Sequence, residues 1–314
     1  MKMTYADAAK LALAEAMRAD PTVWAVGEDL GRGGVFQQYK GLREEFGPDR
    51  ISDAPISEAA IMGAAFGAAM VGTRPVVEMR FADFALCATD ELVNQIAKAR
   101  FMFGGQSRAP MVIRKPMGMW RSSAAQHSQS LESWYVHIPG LVVCCPATPQ
   151  DNYSMLKAAI ASDDPVVYLE HKDIWALEGD VDTSQTFEFG KAVIRQTGDS
   201  LTLVSWSNTC NIALDAVRNS DIEVIDLRSL WPWDKKTVIN SVRRTGRLLI
   251  AHESVQVGGF GAEVAATVAE NVACKVKRLG SPRSLIAYAP NLENQLRISG
   301  EMIANTVQEM IRAS

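Results

Sequence analysis

No uninterrupted apolar run approaches the ~20 residues that a membrane-spanning helix needs, which leaves no reason to expect a membrane protein. Positive charge is not in excess: 32 Lys and Arg stand against 36 Asp and Glu, a formal net charge of −4, and the basic residues are scattered. That distribution gives no electrostatic footprint for nucleic acid or an anionic lipid surface, so neither is expected as a partner. Cysteines number only five, Cys87, Cys144, Cys145, Cys210 and Cys274, an odd count without a C-x-x-C pair. Most lie inside apolar runs, as buried reduced thiols do in a reducing compartment. The four histidines, His127, His137, His171 and His252, share no metal-ligand spacing with each other or with the cysteines, which argues against zinc. A Walker loop and a Gly-x-Ser-x-Gly elbow are also missing. The segment GGFGAEV only partly matches a dinucleotide fingerprint and reads better as the glycine-rich start of a helix. The opening MKMTYADAAKLALAEAMRAD alternates charge with Ala and Leu like an amphipathic helix, not a signal peptide, so a cytoplasmic protein is expected.

What is present is an ordinary globular composition, 47% hydrophobic and 22% charged, over 314 residues. That length is about twice a common domain, so two cores are expected. Short β-rich runs alternate with amphipathic stretches, the pattern of β-α units around largely parallel sheets. Strands are expected at 23–26, 75–79, 111–114, 141–145 and 166–170, and again in LTLVSW, IEVIDL, RLLIAH and KVKRLG, with a last helix at 301–313. Residues 171–190 lose periodicity and read as a linker. The expected fold class is therefore α/β in two doubly wound domains, 1–186 and 187–314.

Three stretches hold candidate chemistry. In DAPISEAAIMGAAFGAAMVG a turn with Pro55 enters a helix of Gly and Ala that lets another backbone come close. Ser57 or its neighbour can cap this helix, which puts Glu58 in the first turn, where exposed N–H groups and the helix dipole favour a carboxylate. Glu58 is then either an ordinary dipole-matching residue or a functional acid. In MRFADFALCATDELVNQIAKARFMFGG a strand end leads through Phe81 and Phe84 into a long amphipathic helix. Those rings either fill a core or offer a flat surface to a heteroaromatic ring. In AAQHSQSLESWYVHIPG, His127 sits among polar residues that could fix a tautomer, and an imidazole can exchange a proton near neutrality. His137 lies in an apparent helix and is the weaker candidate.

Taken in order with VGEDLGRGGVFQQYKGL, VIDLRSLWPWD and AHESVQVGGFGAEVAA, these blocks resemble the β subunits of the thiamine-diphosphate-dependent first component of 2-oxo-acid dehydrogenase complexes, of the pyruvate and acetoin type, in the transketolase-like family. The resemblance implies a pyrimidine-binding domain followed by a transketolase C-terminal-like domain. It sets Glu58 on the glutamate that bonds the aminopyrimidine ring, Phe84 on the aromatic that stacks on it, Ile56 beside it, and His127 on the active-site-channel histidine. It implies decarboxylation of a 2-oxo acid with acyl transfer to a lipoyl group. Cleavage of acetoin by the same machinery is an alternative, as is a non-catalytic scaffold subunit that docks the lipoyl-bearing core.

The family's Gly-Asp-Gly motif for diphosphate and magnesium is missing: Gly179-Asp180 continues with Val and Gly198-Asp199 with Ser. The resemblance therefore implies an α subunit that holds both, in an α2β2 assembly, and a lipoyl-bearing acyltransferase as a further partner. It also implies a monovalent cation, potassium in many relatives, on the backbone carbonyls of Met111, Ala159, Ser162 and Asp164. Met119, Trp120 and Arg121 are bulky where many relatives carry smaller residues; they either shape the substrate channel or face the partner.

Overall fold

The computed structural model describes residues 1–312 and divides them by contacts into two compact units, Met1–Met117 with Trp134–Glu188, and Gly118–Ser133 with the rest of the chain from Phe189. Residues 118–133, contiguous in sequence with the first unit, thus group with the second. Ala313, expected in the last helix, lies outside the described residues.

In the first unit, strands β1 (Lys2–Thr4), β2 (Val23–Gly27), β3 (Ile51–Asp53), β4 (Arg74–Glu78), β5 (Val112–Met117), β6 (Val142–Cys144), β7 (Val166–His171) and β8 (Glu178–Asp180) form two sheets. The larger is parallel, with this unit's strands in the order β6-β7-β5-β4-β2-β3. Its inner strands are covered on both faces, which is why they read as apolar runs without alternation. The chain leaves β2 towards β3 and returns to β4 on the other side, so a crevice opens at the carboxyl ends of β2 and β4. Gly27 is needed there: a Cβ would lie 2.7 Å from the Glu78 carbonyl oxygen.

Around the sheet lie α1 (Tyr5–Ala19), α2 (Leu42–Phe46), α3 (Glu58–Met70), α4 (Ala99–Met102), α5 (Glu132–Val136, begun in the inserted segment) and α6 (Pro149–Ala161). Helices α1 and α6 pack on each other. A capping box starts α6: Thr148 Oγ1 accepts from Asp151 N at 3.1 Å while Thr148 N donates to Asp151 Oδ2 at 3.1 Å, and Pro149 opens the first turn. Thr148→Ala is expected to cost about 1 kcal/mol, read as a lower urea midpoint with an unchanged slope.

Three expectations need correction. The opening is not helical throughout, because residues 2–4 pair as β1 with β8 in the supposed linker. The long helix after Phe84 is broken into a 3₁₀ turn (Phe84–Ala88), a π turn (Glu91–Ile96) and α4. Cys87 is exposed, while Cys144, Cys145 and Cys210 are buried; none of the five forms a disulfide.

The second unit is another α/β layer, with β9 (Val193–Gln196), β10 (Leu201–Ser205), β11 (Ile222–Asp226), β12 (Ser229–Trp231), β13 (Arg247–Val255) and β14 (Lys275–Ser281). Its five-stranded sheet runs β14-β13-β10-β11-β9, parallel except for the edge strand β9. Helices α7 (Ser207–Ala216), α8 (Lys235–Thr245), α9 (Gly261–Ala269), α10 (Pro290–Leu296) and α11 (Gly300–Arg312) complete it. Both units are doubly wound α/β folds. Among the described residues no helix is long and apolar enough to cross a membrane.

Candidate active site

Glu58 is the first residue of α3, as the sequence indicates, and is half-buried. Ser57 precedes it but does not cap the helix: its hydroxyl donates to the Pro55 carbonyl at 2.9 Å. The first-turn N–H groups therefore keep their partial positive charge beside Glu58 without a side-chain cap from Ser57. Among the described residues no hydrogen bond reaches the Glu58 carboxylate. Ile56, in the turn before it, is 76% exposed, unusual for an isoleucine beside a buried sheet. Helix α3, which Glu58 begins, packs against the 3₁₀ turn that Phe84 begins, and these two elements form one corner of the first unit. Phe84 meets Phe81 edge to face at 5.3 Å, and both rings are only half-buried, which leaves ring surface open.

Two residues at the end of β2 and one after β4 join this corner unforeseen. Burial raises the carboxyl pKa of Glu28 above its ordinary value; Arg80 opposes the shift, and the negative charge of Glu58 adds to it. Arg80 Nη1 lies 3.5 Å from Glu28 and 3.1 Å from Asp29. The crevice thus presents two carboxylates, Glu28 and Glu58, close enough to feel each other, with one guanidinium beside them. One of two like charges then holds a proton more readily than it would alone. The only sequence signal was an acid directly after an apolar strand.

His127 is half-buried in the second unit, on the segment Gly118–Ser133. That segment is held by backbone amides donated to carboxylates: Met119 N to Glu253 Oε1 and Ser122 N to Glu293 Oε2, both at 2.7 Å. Ser130 Oγ also donates to Glu253 at 3.2 Å, and Trp206 Nε1 donates to Glu132 at 3.1 Å. The grip matters because Arg121, Ser122 and Ala124 all have positive φ, at 46°, 59° and 60°. Such backbone costs roughly 1 kcal/mol or more per residue and persists only where its surroundings over-determine it. Met119 is buried in its own unit, Trp120 is half-buried, and exposed Arg121 sits 5.3 Å from the Trp120 ring centroid. His137 is exposed, one residue past the end of α5.

The four carbonyls named for a cation are already engaged. Met111 O accepts from Val166 N at 3.0 Å, Ala159 O from Ser162 N at 3.2 Å, Asp164 O from Ser162 Oγ at 3.0 Å, and Ser162 O from Arg74 Nη1 at 2.9 Å. Each retains a second lone pair.

Comparison with known sequences decides the family. Residues 1–176 match the family described as transketolase, pyrimidine binding domain, and residues 190–303 match transketolase, C-terminal domain. The chain belongs to the transketolase-like family. It is 36% identical to the 2-oxoisovalerate dehydrogenase subunit beta of Bacillus subtilis, over 98% of each chain. It is 37% identical to the pyruvate dehydrogenase E1 component subunit beta of Rickettsia bellii, over 99% of each. It is also 37% identical to the acetoin:2,6-dichlorophenolindophenol oxidoreductase subunit beta of Cupriavidus necator, over 96% of this chain and 97% of that one. Among solved structures, a split-gene transketolase, an inactive β4 tetramer, superposes with a TM-score of 0.83 over 99% of this chain and 98% of that one, at 21% identity, a likeness of fold. The relatives of this transketolase-like chain include β subunits of pyruvate, 2-oxoisovalerate and acetoin dehydrogenases.

Proposed function

We propose that this chain is the pyrimidine-activating β subunit of a thiamine-diphosphate-dependent 2-oxo-acid dehydrogenase, with pyruvate favoured as substrate. The observation that supports this best is the packing of α3 on the turn begun by Phe84: a helix with a first-turn carboxylate against a turn with a half-open aromatic ring, at the switch-point crevice of a parallel sheet. The donor set fits an aminopyrimidine, with a ring face against Phe84, a carboxylate for a ring nitrogen, and exposed Ile56 for an apolar edge. When bound, the cofactor supplies the electron sink that allows a 2-oxo acid to lose carbon dioxide. Glu58 accepts a hydrogen bond from the pyrimidine ring nitrogen and so fixes where that ring holds its proton. Glu28, made more basic by burial and by Glu58, is placed to keep a proton next to it. To His127, on its strained and doubly anchored segment, this reading assigns proton exchange with the acyl acceptor.

Diphosphate and magnesium are the part this chain does not supply. The sequence offers no Gly-Asp-Gly motif, so both fall to an α subunit in an α2β2 assembly, and a lipoyl-bearing acyltransferase takes the acyl group. The exposed stripe Ala60, Ala64 and Gly67 on α3, with Val71 just past its end, suits close approach of that α subunit, since a Cβ at Gly67 would meet nothing within 4 Å in this chain. Potassium, if bound at Met111, Ala159, Ser162 and Asp164, must share the Ser162 carbonyl with the Arg74 guanidinium.

The half-site reading is tested by equilibrium binding of thiamine diphosphate with magnesium, to this chain alone and to the pair with its α subunit. Several charge-assisted bonds to the diphosphate are lost in the isolated chain, so binding there should be weaker by on the order of 10² or more. Equal affinity in the two samples would overturn it. Dye-coupled turnover of pyruvate, 2-oxoisovalerate and acetoin by the pair then identifies the substrate.

A further inference from the structure

We propose that Glu78 is a positioning residue for the cofactor-stacking wall: its buried carboxylate holds the turn at residues 33–39 and, through Phe36, sets the placement of Phe81 and Phe84. The inference rests on the reading of Phe84 as the stacking ring.

Glu78 is the last residue of β4, 4% exposed, and both its oxygens are spent on the turn. Oε2 accepts from the Tyr39 hydroxyl at 2.9 Å and Oε1 from Gln38 Nε2 at 3.3 Å. The other end of the Gln38 amide accepts from Phe36 N at 2.9 Å, so one amide ties the carboxylate to the Phe36 backbone. The turn is shaped around this amide: Gly34 has φ +74°, and a Cβ there would fall 2.9 Å from Gln38 Oε1. Phe36 then stacks on Trp175 at 5.0 Å and meets Phe81 edge to face at 6.4 Å, and Phe81 meets Phe84 at 5.3 Å. A continuous line of contacts runs from one carboxylate to the ring proposed to carry the pyrimidine.

The groups facing Glu78 make this hold titratable. Arg114 on β5 is 3.7 Å away but is engaged with Glu170 on β7 through two bonds, at 2.8 and 2.9 Å. Burial pushes the Glu78 carboxyl up to about 7; Arg114 pulls it down, Glu170 pushes it up, and Tyr39 and Gln38 pull it down by donating to it. Gly27 on β2 lies opposite it in the ladder and brings no side chain to titrate. The ionised form accepts both turn bonds. Protonation reverses or removes one of them, so the hold weakens as pH falls through about 7.

The test uses the full chain and its pair with the α subunit. In the full chain, Trp175 emission, taken as the difference from the Trp175→Phe chain, should titrate near pH 7 and stay flat in Glu78→Gln, because Phe36 stacks on Trp175. In the pair, Glu78→Gln and Gln38→Met should each raise KM for thiamine diphosphate about tenfold and leave kcat within about twofold, the scale of one charge-assisted bond. The wild-type KM should rise towards the Glu78→Gln value as pH falls. Gln38→Met keeps the carboxyl and cuts only the tie to Phe36, so it carries the test if position 78 tolerates no change. A pH-flat Trp175 signal in the wild type, or an unchanged KM in Gln38→Met, overturns the proposal. A wild-type pair that neither binds thiamine diphosphate nor turns over a 2-oxo acid overturns the function proposed above, and the Trp175 titration still decides whether Glu78 holds the turn.

Discussion

Glu58→Ala should abolish most turnover of the reconstituted pair, by about 10²–10⁴-fold, while the chain folds normally. The size follows from what is removed: a carboxylate that bonds a charged ring contributes about 1.5–3 kcal/mol, and the proton-transfer assistance it allows contributes the rest. Folding survives because Glu58 is half-buried and bonded to no other described residue, and alanine is the best helix former. The lost first-turn charge costs only about 0.3–1 kcal/mol. Far-ultraviolet circular dichroism and assembly with the α subunit check the fold, and dye-coupled turnover checks the chemistry. Glu58→Gln should be nearly as inactive, since an amide cannot stabilise the protonated ring nitrogen as an anion does. Removing the charge also relieves Glu28, whose carboxyl should titrate lower than in the wild type. Activity within a few-fold of wild type in an assembled Glu58→Ala pair would sink the assignment.

The inner strands were legible because burial on both faces leaves uninterrupted Val, Ile and Leu, and all five expected in the first unit are found, four with bounds within one residue and β5 running three residues further than expected. The three-residue strands β1, β3 and β8 were not, since they pair at sheet edges through backbone alone and need no apolar side chains. Glu58 and Phe84 stand out in sequence because a first-turn acid and an aromatic pair are local features. Glu28 and Glu78 do not, because an acid at the end of an apolar run is an ordinary strand terminator. What distinguishes them is strand order: β2 and β4 become neighbours only after the chain has crossed from β3, and no local pattern encodes that crossing. The grouping of residues 118–133 is hidden for the same reason, being fixed by Glu253 and Glu293 more than 130 residues away in sequence. The break after Phe84 shows the opposite failure, since LCATDELVNQIAKARFM has good helical periodicity and yet winds partly as a π turn. Such turns recur at functional sites, and this one follows the proposed stacking ring.

The buried charge network behind the site gives the largest stability effect. Arg114 is fully buried, bound twice to Glu170, 3.7 Å from Glu78 and 5.3 Å from the Tyr39 ring centroid. Glu170 also accepts from Asn152 Nδ2 at 3.1 Å, which ties β7 to α6. Arg114→Met keeps an unbranched stem but leaves two buried carboxylates without a cation, which should destabilise the chain by about 3–5 kcal/mol. The penalty has a defined pH dependence. Glu78, already pushed up to about 7 by burial, loses the charge that holds it down and rises further. A carboxyl raised above its unfolded value stabilises the fold fully below that unfolded value, and this stability is lost as pH rises through the folded value. The deficit of Arg114→Met relative to wild type should therefore be larger near pH 8 than near pH 6, measured by urea unfolding at each pH. Adding Glu170→Gln should recover part of the loss, because the double variant no longer buries that unpaired anion. A deficit that is independent of pH and not relieved by the second substitution would show that Arg114 acts by filling space, and that its charge does not set the protonation of Glu78.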